Sequence, residues 1–555
     1  MTASIDSLVE LFTGPAADEN DYAALYAALR RVQAGLGDRP LLADHDTLRA
    51  VLELSAVTDP RLFHVMFLHH CMTIGNALDQ GADPADVAAL ASAECVGAAL
   101  MTEKGRGNSS SGVRTEAVYD PAAGTFVLRT PDADAAKHPI NVGADGIARL
   151  GVVSARLRVG GVDRGTALFL VALRDEHGPL PGVVIESRSR TALLPVDYAT
   201  VRFEEVRVPY SRWLRDGAAI AADGAFHDPL GGPDERTRRS VSMSRFSWGA
   251  VTTGVGAVAR AAVARAITHA RVRRTLDRFG GERLALEHLN QQRLLSVAAA
   301  GALAATTIAR RTTAESWRVS PGDGTGPGLS GADMRRLSLH KVTAVTLADA
   351  AVARSRSSAG APGFFSDNRF VDFQALTTAF ATAGGDNRLI LIDAAWSIVN
   401  GVEYAAPQPD SWPDEWAGLL WRREDLLRTE LVHRLADTGG GAAIMFDNWN
   451  RHTELAQRLG EAHAGGLTAR ILREEWLGAT VSGPRRDVLA DLYELHCLEE
   501  VSGHAGWYLA HDLLGAADVL GLPDRGAEIC RRVAARADTV LELLDIPAPL
   551  VGGTH

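Results

Sequence analysis

Only four cysteines occur in 555 residues, Cys71, Cys95, Cys497 and Cys530, and none forms a Cys-x-x-Cys pair or stands at metal-ligand spacing. A disulfide-stapled or zinc-stapled scaffold is excluded, and a reduced, cytoplasmic compartment is the expectation. Basic charge is short as well: 57 Lys and Arg face 68 Asp and Glu, a formal net charge of −11. Phosphate backbones are held by clustered cations, so no nucleic-acid partner is expected, although one basic pocket for a small phosphorylated ligand remains compatible. No run of ~18 apolar residues is free of charge, so no membrane span is expected. The opening Met-Thr-Ala-Ser-Ile-Asp has no basic stretch followed by an apolar one, and no signal peptide is expected. Short internal repeats are absent too.

What is present is an ordinary globular composition, 46% hydrophobic and 23% charged, too apolar for wholesale disorder. Single cores stop growing near ~250–300 residues, so the length implies three or four subdomains. From about residue 20 to 100 the pattern is helical: Leu25, Ala28, Leu29 and Val32 recur at three- and four-residue steps, and Pro84 stands where a helix begins. From 101 to about 210, short β-branched runs alternate with Gly, Pro and Asp. Thr125–Thr130 alternates like a half-buried strand, and Ala167–Ala172 reads as a strand buried on both faces. Val201, Phe203, Val206 and Val208 share an apolar side, with a slip at Glu204-Glu205 that predicts a bulge. Helices return after residue 237, notably 257–274 and 293–317. The Gly- and Pro-rich segment 319–331 reads as a surface loop, and 405–413 as a linker. An α+β multi-domain protein follows, partitioned as 1–100 helical, 101–215 β, 216–405 helical bundle and 406–555 helical.

Three segments carry a resemblance. Met101-Thr-Glu-Lys-Gly-Arg-Gly-Asn-Ser-Ser-Ser-Gly112, leading to Tyr119-Asp120, resembles the Thr-Glu-x-Gly-x-Gly-(Thr/Ser)-Asn segment of acyl-CoA oxidases. Closely spaced glycines and hydroxyl residues, Gly105 and Gly107 among them, let a backbone approach a flat ligand and offer it N–H donors. Leu170-Val-Ala-Leu-Arg-Asp-Glu-His-Gly-Pro-Leu-Pro-Gly182, then Val201-Arg-Phe-Glu-Glu-Val-Arg-Val-Pro209, match that family's β domain in order and spacing. Ser358-Ala-Gly-Ala-Pro-Gly-Phe364 and Thr382-Ala-Gly-Gly-Asp-Asn387 resemble its Gly-Gly-x-Gly-Tyr turn and Thr-x-Glu-Gly-Asp-Asn motif. With Leu492-Tyr-Glu-Leu and 541–550, the resemblance to the acyl-CoA oxidase/dehydrogenase superfamily runs from about residue 45 to 552.

The resemblance implies an N-terminal helical domain, a middle β domain, a helical bundle and the extra C-terminal helical domain of the oxidases. It implies FAD between β domain and bundle in a homodimer. Thr102 would touch the flavin ring, and Lys137-His-Pro-Ile-Asn-Val-Gly143 would replace a tryptophan-containing flavin segment, with Pro139 and Asn141 at its stacking and N5-contact positions. Gly360 belongs to the matching turn, Arg274 would reach a partner subunit's FAD phosphates, and Asp386 and Asn387 would lie near the nucleotide half.

The chain departs from the pattern where the chemistry sits. The family's glutamate that takes the substrate α-proton is Gly384 here, and Ser244, before Arg245, stands at the alternative base position. Positioned bases contribute ~10²–10⁴-fold in rate, so their loss alone leaves a slow dehydrogenase. Asp386 and His138 are the replacement candidates, although an N-cap or nucleotide contact is the plainer role for Asp386, and Glu103 reads as structural.

Other signals point elsewhere and lead nowhere. Gly254-Val-Gly256-Ala-Val-Ala259 fits a dinucleotide fingerprint but lacks the strand–helix–strand context, and small residues at a helix crossing explain it. His64, His69 and His70 lack further metal ligands at suitable spacing, and Ser109–Ser111 lacks a nucleophile elbow.

The leading expectation is an FAD-dependent oxidoreductase acting on an acyl thioester of CoA or a carrier protein, reoxidised by molecular oxygen. Its rivals are a flavin monooxygenase on the same fold, and a non-catalytic subunit partnering an active paralogue.

Overall fold

The computed structural model describes residues 5–12, 21–320, 329–406, 415–436 and 442–551. Most of the expected loop 319–331, most of the expected linker 405–413 and the first four residues lie outside the described set. The chain forms two compact units, one of residues 1–250 with 313–330 and one of residues 251–312 with 331–555.

The first unit begins with helices whose starts are written in aspartates. Asp21 accepts from Ala24 N, Asp44 from Thr47 N, Asp59 from Arg61 N and Asp83 from Ala85 N, so each caps the helix that follows. Pro60 and Pro84 occupy first-turn positions, where the missing N–H costs nothing. The helix Pro60–Phe67 passes into a π-helical stretch, Leu68–Ile74, that carries His69 and His70.

Ten strands follow: β1 (Val96–Leu100), β2 (Glu116–Asp120), β3 (Thr125–Arg129), β4 (Lys137–Asn141), β5 (Arg149–Val159), β6 (Val162–Arg174), β7 (Val183–Ser187), β8 (Tyr198–Phe203), β9 (Val206–Pro209) and β10 (Trp213–Leu214). A seven-stranded sheet runs β10-β6-β5-β2-β3-β9 with β1 parallel to β5, and a three-stranded sheet runs β4-β8-β7. Gly160 and Gly161, at φ +58° and +76°, close the β5–β6 hairpin with the two positive φ values that a tight, twist-compatible turn demands. β6 is buried from Gly165 through Val171, as expected for a strand covered on both faces.

One core joins the sheets, with Phe126 against Phe169 and Trp213 at ring separations of 5.1 and 5.4 Å. Edge-to-face pairs of this kind add ~0.5–1.5 kcal/mol each beyond their burial. The expected bulge at Glu204-Glu205 is corrected. β8 ends at Phe203, β9 starts at Val206, and Glu205 turns the chain at φ +57° from the smaller sheet to the larger. The alternation slips because the chain changes sheets, not because one strand carries an extra residue.

The second unit is helical apart from a hairpin, β13 (Arg274–Leu276) with β14 (Glu282–Leu284); the short pair β11 (Ala219–Ile220) and β12 (Phe226–His227) precedes it in the first unit. Gly254–Ala259 lies inside the helix Ser244–Val272 with no strand before it. A Cβ at Gly256 would stand 3.3 Å from Thr306 Oγ1 and 3.4 Å from its Cα, so this glycine serves a close helix crossing with Leu289–Ser316. Arg260 donates to Leu544 O (2.8 Å) and Arg265 to both Asn368 O (2.6 Å) and Leu550 O (2.8 Å), fastening the 541–550 stretch to that long helix. The 18-residue windows within 233–272 and 289–316 that are apolar enough to cross a membrane are 100% and 72% buried in the fold, as core helices are. The α+β multi-domain class stands as expected.

Candidate functional site

The segment after β1 folds back on the approach to β4. His138 N donates to Thr102 O (3.0 Å) and Lys104 N to Ala136 O (2.9 Å), so Thr102 and His138 become neighbours although 36 residues apart in sequence. Glu103 anchors this ledge from inside. Its carboxylate accepts from Arg114 N (3.0 Å), Thr115 N and Thr115 Oγ1 (2.8 Å each) and Lys137 Nζ (3.2 Å). The pair is dry, with the Lys137 side chain 0% and that of Glu103 2% exposed. Burial pulls the Lys137 ammonium down to about 8, against the pull of Glu103. Glu103 is therefore structural, as its sequence context implied.

The glycines divide by role. A Cβ at Gly105 would sit 2.6 Å from Asp134 Cβ, and one at Gly143 2.9 Å from Asp197 O, so both are glycine for close packing. Gly107 faces open space. A solvent-open hollow of about 200 Å³ lies here, lined by Met101, Thr102, Glu103, Arg106, Ser109 and Val113. Asn141 turns inward: its amide lies 3.5 Å from the Tyr26 hydroxyl, which donates to Asp197 (2.6 Å), itself paired with Arg149 (3.0 Å). Pro139 is exposed on the same strand. The His138 ring meets Thr200 Oγ1 at 3.1 Å, and Arg188 Nε donates to that same oxygen at 2.7 Å. Partial burial, then the Arg188 and Lys104 cations, hold the imidazole below its usual pKa.

In the second unit, the helix Gly331–Ala359 ends at Gly360, φ +71°, beside Arg273; a Cβ there would lie 3.3 Å from Arg273 Nη1. Arg274, the next residue, opens the β13–β14 hairpin, is exposed and pairs with Glu282 at 3.3 Å. The hairpin tip carries Phe279, 94% exposed. Gly384 and Gly385 turn the chain at φ +69° and +98°. Asp386 then caps the helix Asn387–Val399, its Oδ1 accepting from Arg388 N (2.9 Å) and Leu389 N (3.4 Å). Behind the turn, buried Lys341 donates to Gly385 O (2.7 Å) and Asn387 Oδ1 (2.8 Å), and burial lowers its ammonium to about 7.

Neither expected base position offers a carboxylate. Arg245, next to Ser244, donates to Ser316 O (2.7 Å) and Arg318 O (2.6 Å) and pairs with Asp79 (2.8 Å), a buried structural brace in the first unit. The roles of Lys137, Lys341, Thr200 and Arg188 escaped the sequence reading, yet a signal existed. Lys104, Lys137 and Lys341 are the only lysines in 555 residues, the other 54 of the 57 basic residues being arginine (57 − 3). Lys104 falls in a segment that carries the resemblance and Lys137 in the one that would replace the flavin segment, whereas Lys341 lies outside both. Lys137 and Lys341 are both buried, and an ammonium, unlike a guanidinium, can shed its proton there.

No protein-family model matches the chain. A mouse acyl-coenzyme A oxidase-like protein is 24% identical over 489 residues, 80% of this chain and 75% of that protein. A Drosophila acyl-coenzyme A oxidase 1 is 28% identical over 356 residues, 60% of this chain and 50% of its own. A peroxisomal acyl-coenzyme A oxidase 3 of Arabidopsis is 29% identical over 205 residues, 36% of this chain and 30% of its own. Solved structures show the fold: Arabidopsis acyl-CoA oxidase 1 superposes with a TM-score of 0.80 at 17% identity, covering 99% of this chain and 88% of that one. A Caenorhabditis elegans acyl-CoA oxidase-1 complexed with FAD and ATP gives 0.80 at 18%, covering 99% and 84%.

These relatives correct one expectation. Arabidopsis, rabbit and human relatives are named peroxisomal, which overturns the cytoplasmic assignment. The four cysteines are indeed free, but free thiols argue only against an oxidising compartment and do not separate one reducing compartment from another. Motif order, fold and a relative matched over four-fifths of the sequence agree: the chain is similar to acyl-CoA oxidases in sequence and shares their fold.

Proposed function

We propose that the protein is a flavin-dependent oxidoreductase acting on an acyl thioester of CoA or a carrier protein, with FAD as cofactor, molecular oxygen as final acceptor and a homodimer as its working form. The observation that carries this reading is the solvent-open ledge at Thr102, the residue that the resemblance sets against the flavin ring. The four-domain partition at 100, 215 and 405 goes with it.

The residues present fit FAD. Thr102 offers an exposed hydroxyl, Gly107 leaves room for close backbone approach, and Glu103 with Lys137 holds the loop rigid from behind. Asn387, its carbonyl taken by Lys341, keeps amide N–H donors for a nucleotide, and exposed Arg274 suits a phosphate. Bound FAD would supply the two-electron acceptor. The chain's own shortfall is the proton: Gly384 has no side chain and Asp386 is engaged in capping. Dehydrogenation is therefore expected to be slower by ~10²–10⁴-fold than with a positioned carboxylate.

Absorbance of the purified chain, before and after FAD and then anaerobic acyl-CoA, tests this. A flavin band that acyl-CoA bleaches slowly, with peroxide formed on readmitting oxygen, is expected. A chain that stays colourless after soaking in FAD refutes it. The missing carboxylate also favours a second reading, a non-catalytic subunit of an active paralogue; a flavin band that no acyl-CoA bleaches, with co-purification of such a paralogue, would support that instead.

A further inference from the structure

Hydrogen-bond accounting around His138 decides which way its ring is protonated. Arg188 has donors only, so Thr200 Oγ1 accepts from Arg188 Nε at 2.7 Å. The Thr200 hydroxyl is buried, 3% exposed, and its one proton has no acceptor among the described residues other than His138 Nδ1 at 3.1 Å. If Nδ1 carried a proton, two donors would converge on Thr200 Oγ1 and the hydroxyl proton would go unsatisfied in a buried place. Nδ1 therefore accepts, and the ring proton sits on Nε2, which has no partner among the described residues.

The electrostatics agree. The charged groups facing the ring are the cations Arg188, after β7, and Lys104, on the loop paired with β4. The nearest counter-charge, Glu186, is 3.8 Å from Arg188 Nη2. Both cations oppose a second proton on the imidazole, as does its partial burial. A neutral N–H donor flanked by the Arg188 and Lys104 cations thus sits on the residue whose backbone N–H meets Thr102 O, in a chain of net charge −11.

We propose that His138 is a tautomer-locked hydrogen-bond donor, with Thr200 and Arg188 as its positioning residues, that recognises an electron-rich edge of the bound flavin through Nε2–H and does not act as a base. This rests on the flavin reading above. It separates His138 from the missing α-proton acceptor: the lone pair that a base would use is already occupied by Thr200. It also gives the donor a purpose, because an N–H backed by two cations favours the more negative, reduced form of its ligand.

Two measurements on the full chain test this. Nitrogen-15 NMR of histidine-labelled protein, with the His138 signals identified by their loss in His138→Gln, should show Nε2 protonated and Nδ1 bare from about pH 6 to pH 8. Thr200→Val should release that preference and raise the titration midpoint. FAD titration followed by absorbance should show His138→Ala weakening binding ~3–10-fold, the worth of one hydrogen bond. It should also lower the midpoint potential of the bound flavin. His138→Gln, which keeps an N–H donor, should recover most of both. A proton on Nδ1 overturns the proposal. So does a His138→Ala protein that binds FAD as tightly as the unaltered chain at the same potential, a result that leaves the flavin reading standing. Failure of the unaltered chain to take up FAD sinks that reading and the donor role together, while the NMR result still decides the tautomer.

Discussion

Removing Glu103 and removing Lys137 break the same ion pair but should not cost the same. Glu103 accepts from four donors, two of them the backbone N–H groups of Arg114 and Thr115, whereas Lys137 donates to Glu103 and to Ser154 Oγ at 3.2 Å. Glu103→Ala therefore orphans the Arg114 and Thr115 N–H groups, and leaves the Thr115 hydroxyl only Ala135 O (3.3 Å) and the Lys137 ammonium only Ser154 Oγ. Breaking a buried pair from one side costs about 3–5 kcal/mol. Lys137 is already down to about 8 and escapes part of the penalty by shedding its proton, so the low end, about 3 kcal/mol, is expected. Lys137→Met leaves Glu103 with three donors and fills the volume with a similar stem, at about 1–2 kcal/mol. Hydrogen exchange of peptides spanning 101–120 reads this locally without assuming a single unfolding transition for a two-unit chain. The sign with pH follows as well. From the folded value of about 8 to ~10.4 the unfolded chain holds the extra proton, so protection should rise with pH in that window, and Lys137→Met should abolish the rise. If Lys137→Met costs as much as Glu103→Ala, the backbone N–H groups do not carry the anchor and the reasoning fails.

Two further outcomes are expected. Gly384→Glu places a carboxylate at the vacant base position; since Gly384 sits at φ +69°, the side chain costs ~1 kcal/mol, about fivefold, against a gain of ~10²–10⁴. Acyl-CoA bleaching should accelerate at least ~20-fold over the unaltered chain, and a folded, flavin-loaded Gly384→Glu protein that is no faster would show that the missing carboxylate is not what limits the rate. His70 is buried with neither ring nitrogen partnered among the described residues, and burial lowers its pKa to about 4. Below its unfolded value the unfolded chain binds the extra proton, so stability should fall as pH drops from ~6.5 toward 4, by about 1.4 kcal/mol per pH unit from this one group. His70→Leu should remove that slope in acid unfolding; an unchanged slope assigns the acid sensitivity elsewhere.

Much of the fold was legible because its causes are local. Aspartates before helices, prolines at first turns and the continuous apolar run of β6 each act within a few residues, and a single chain displays them directly. Asp386 as a cap and Glu103 as a structural group were readable for the same reason. The Glu204-Glu205 corner was misread because a bulge and a change of sheet leave the same break in alternation, and only strand pairing tells them apart.

Alone, the amino-acid order determined the resemblance to acyl-CoA oxidases, the succession of helical and β segments and the absence of a carboxylate at 384, all of them properties of residue type and spacing. What the tertiary structure decided is which groups meet: Thr102 with His138, Glu103 with Lys137, Lys341 with the 385–387 turn, and Thr200 between Arg188 and His138. Those pairings set burial and hydrogen-bond direction, and a proton's position depends on both, so no one-dimensional pattern could have shown them.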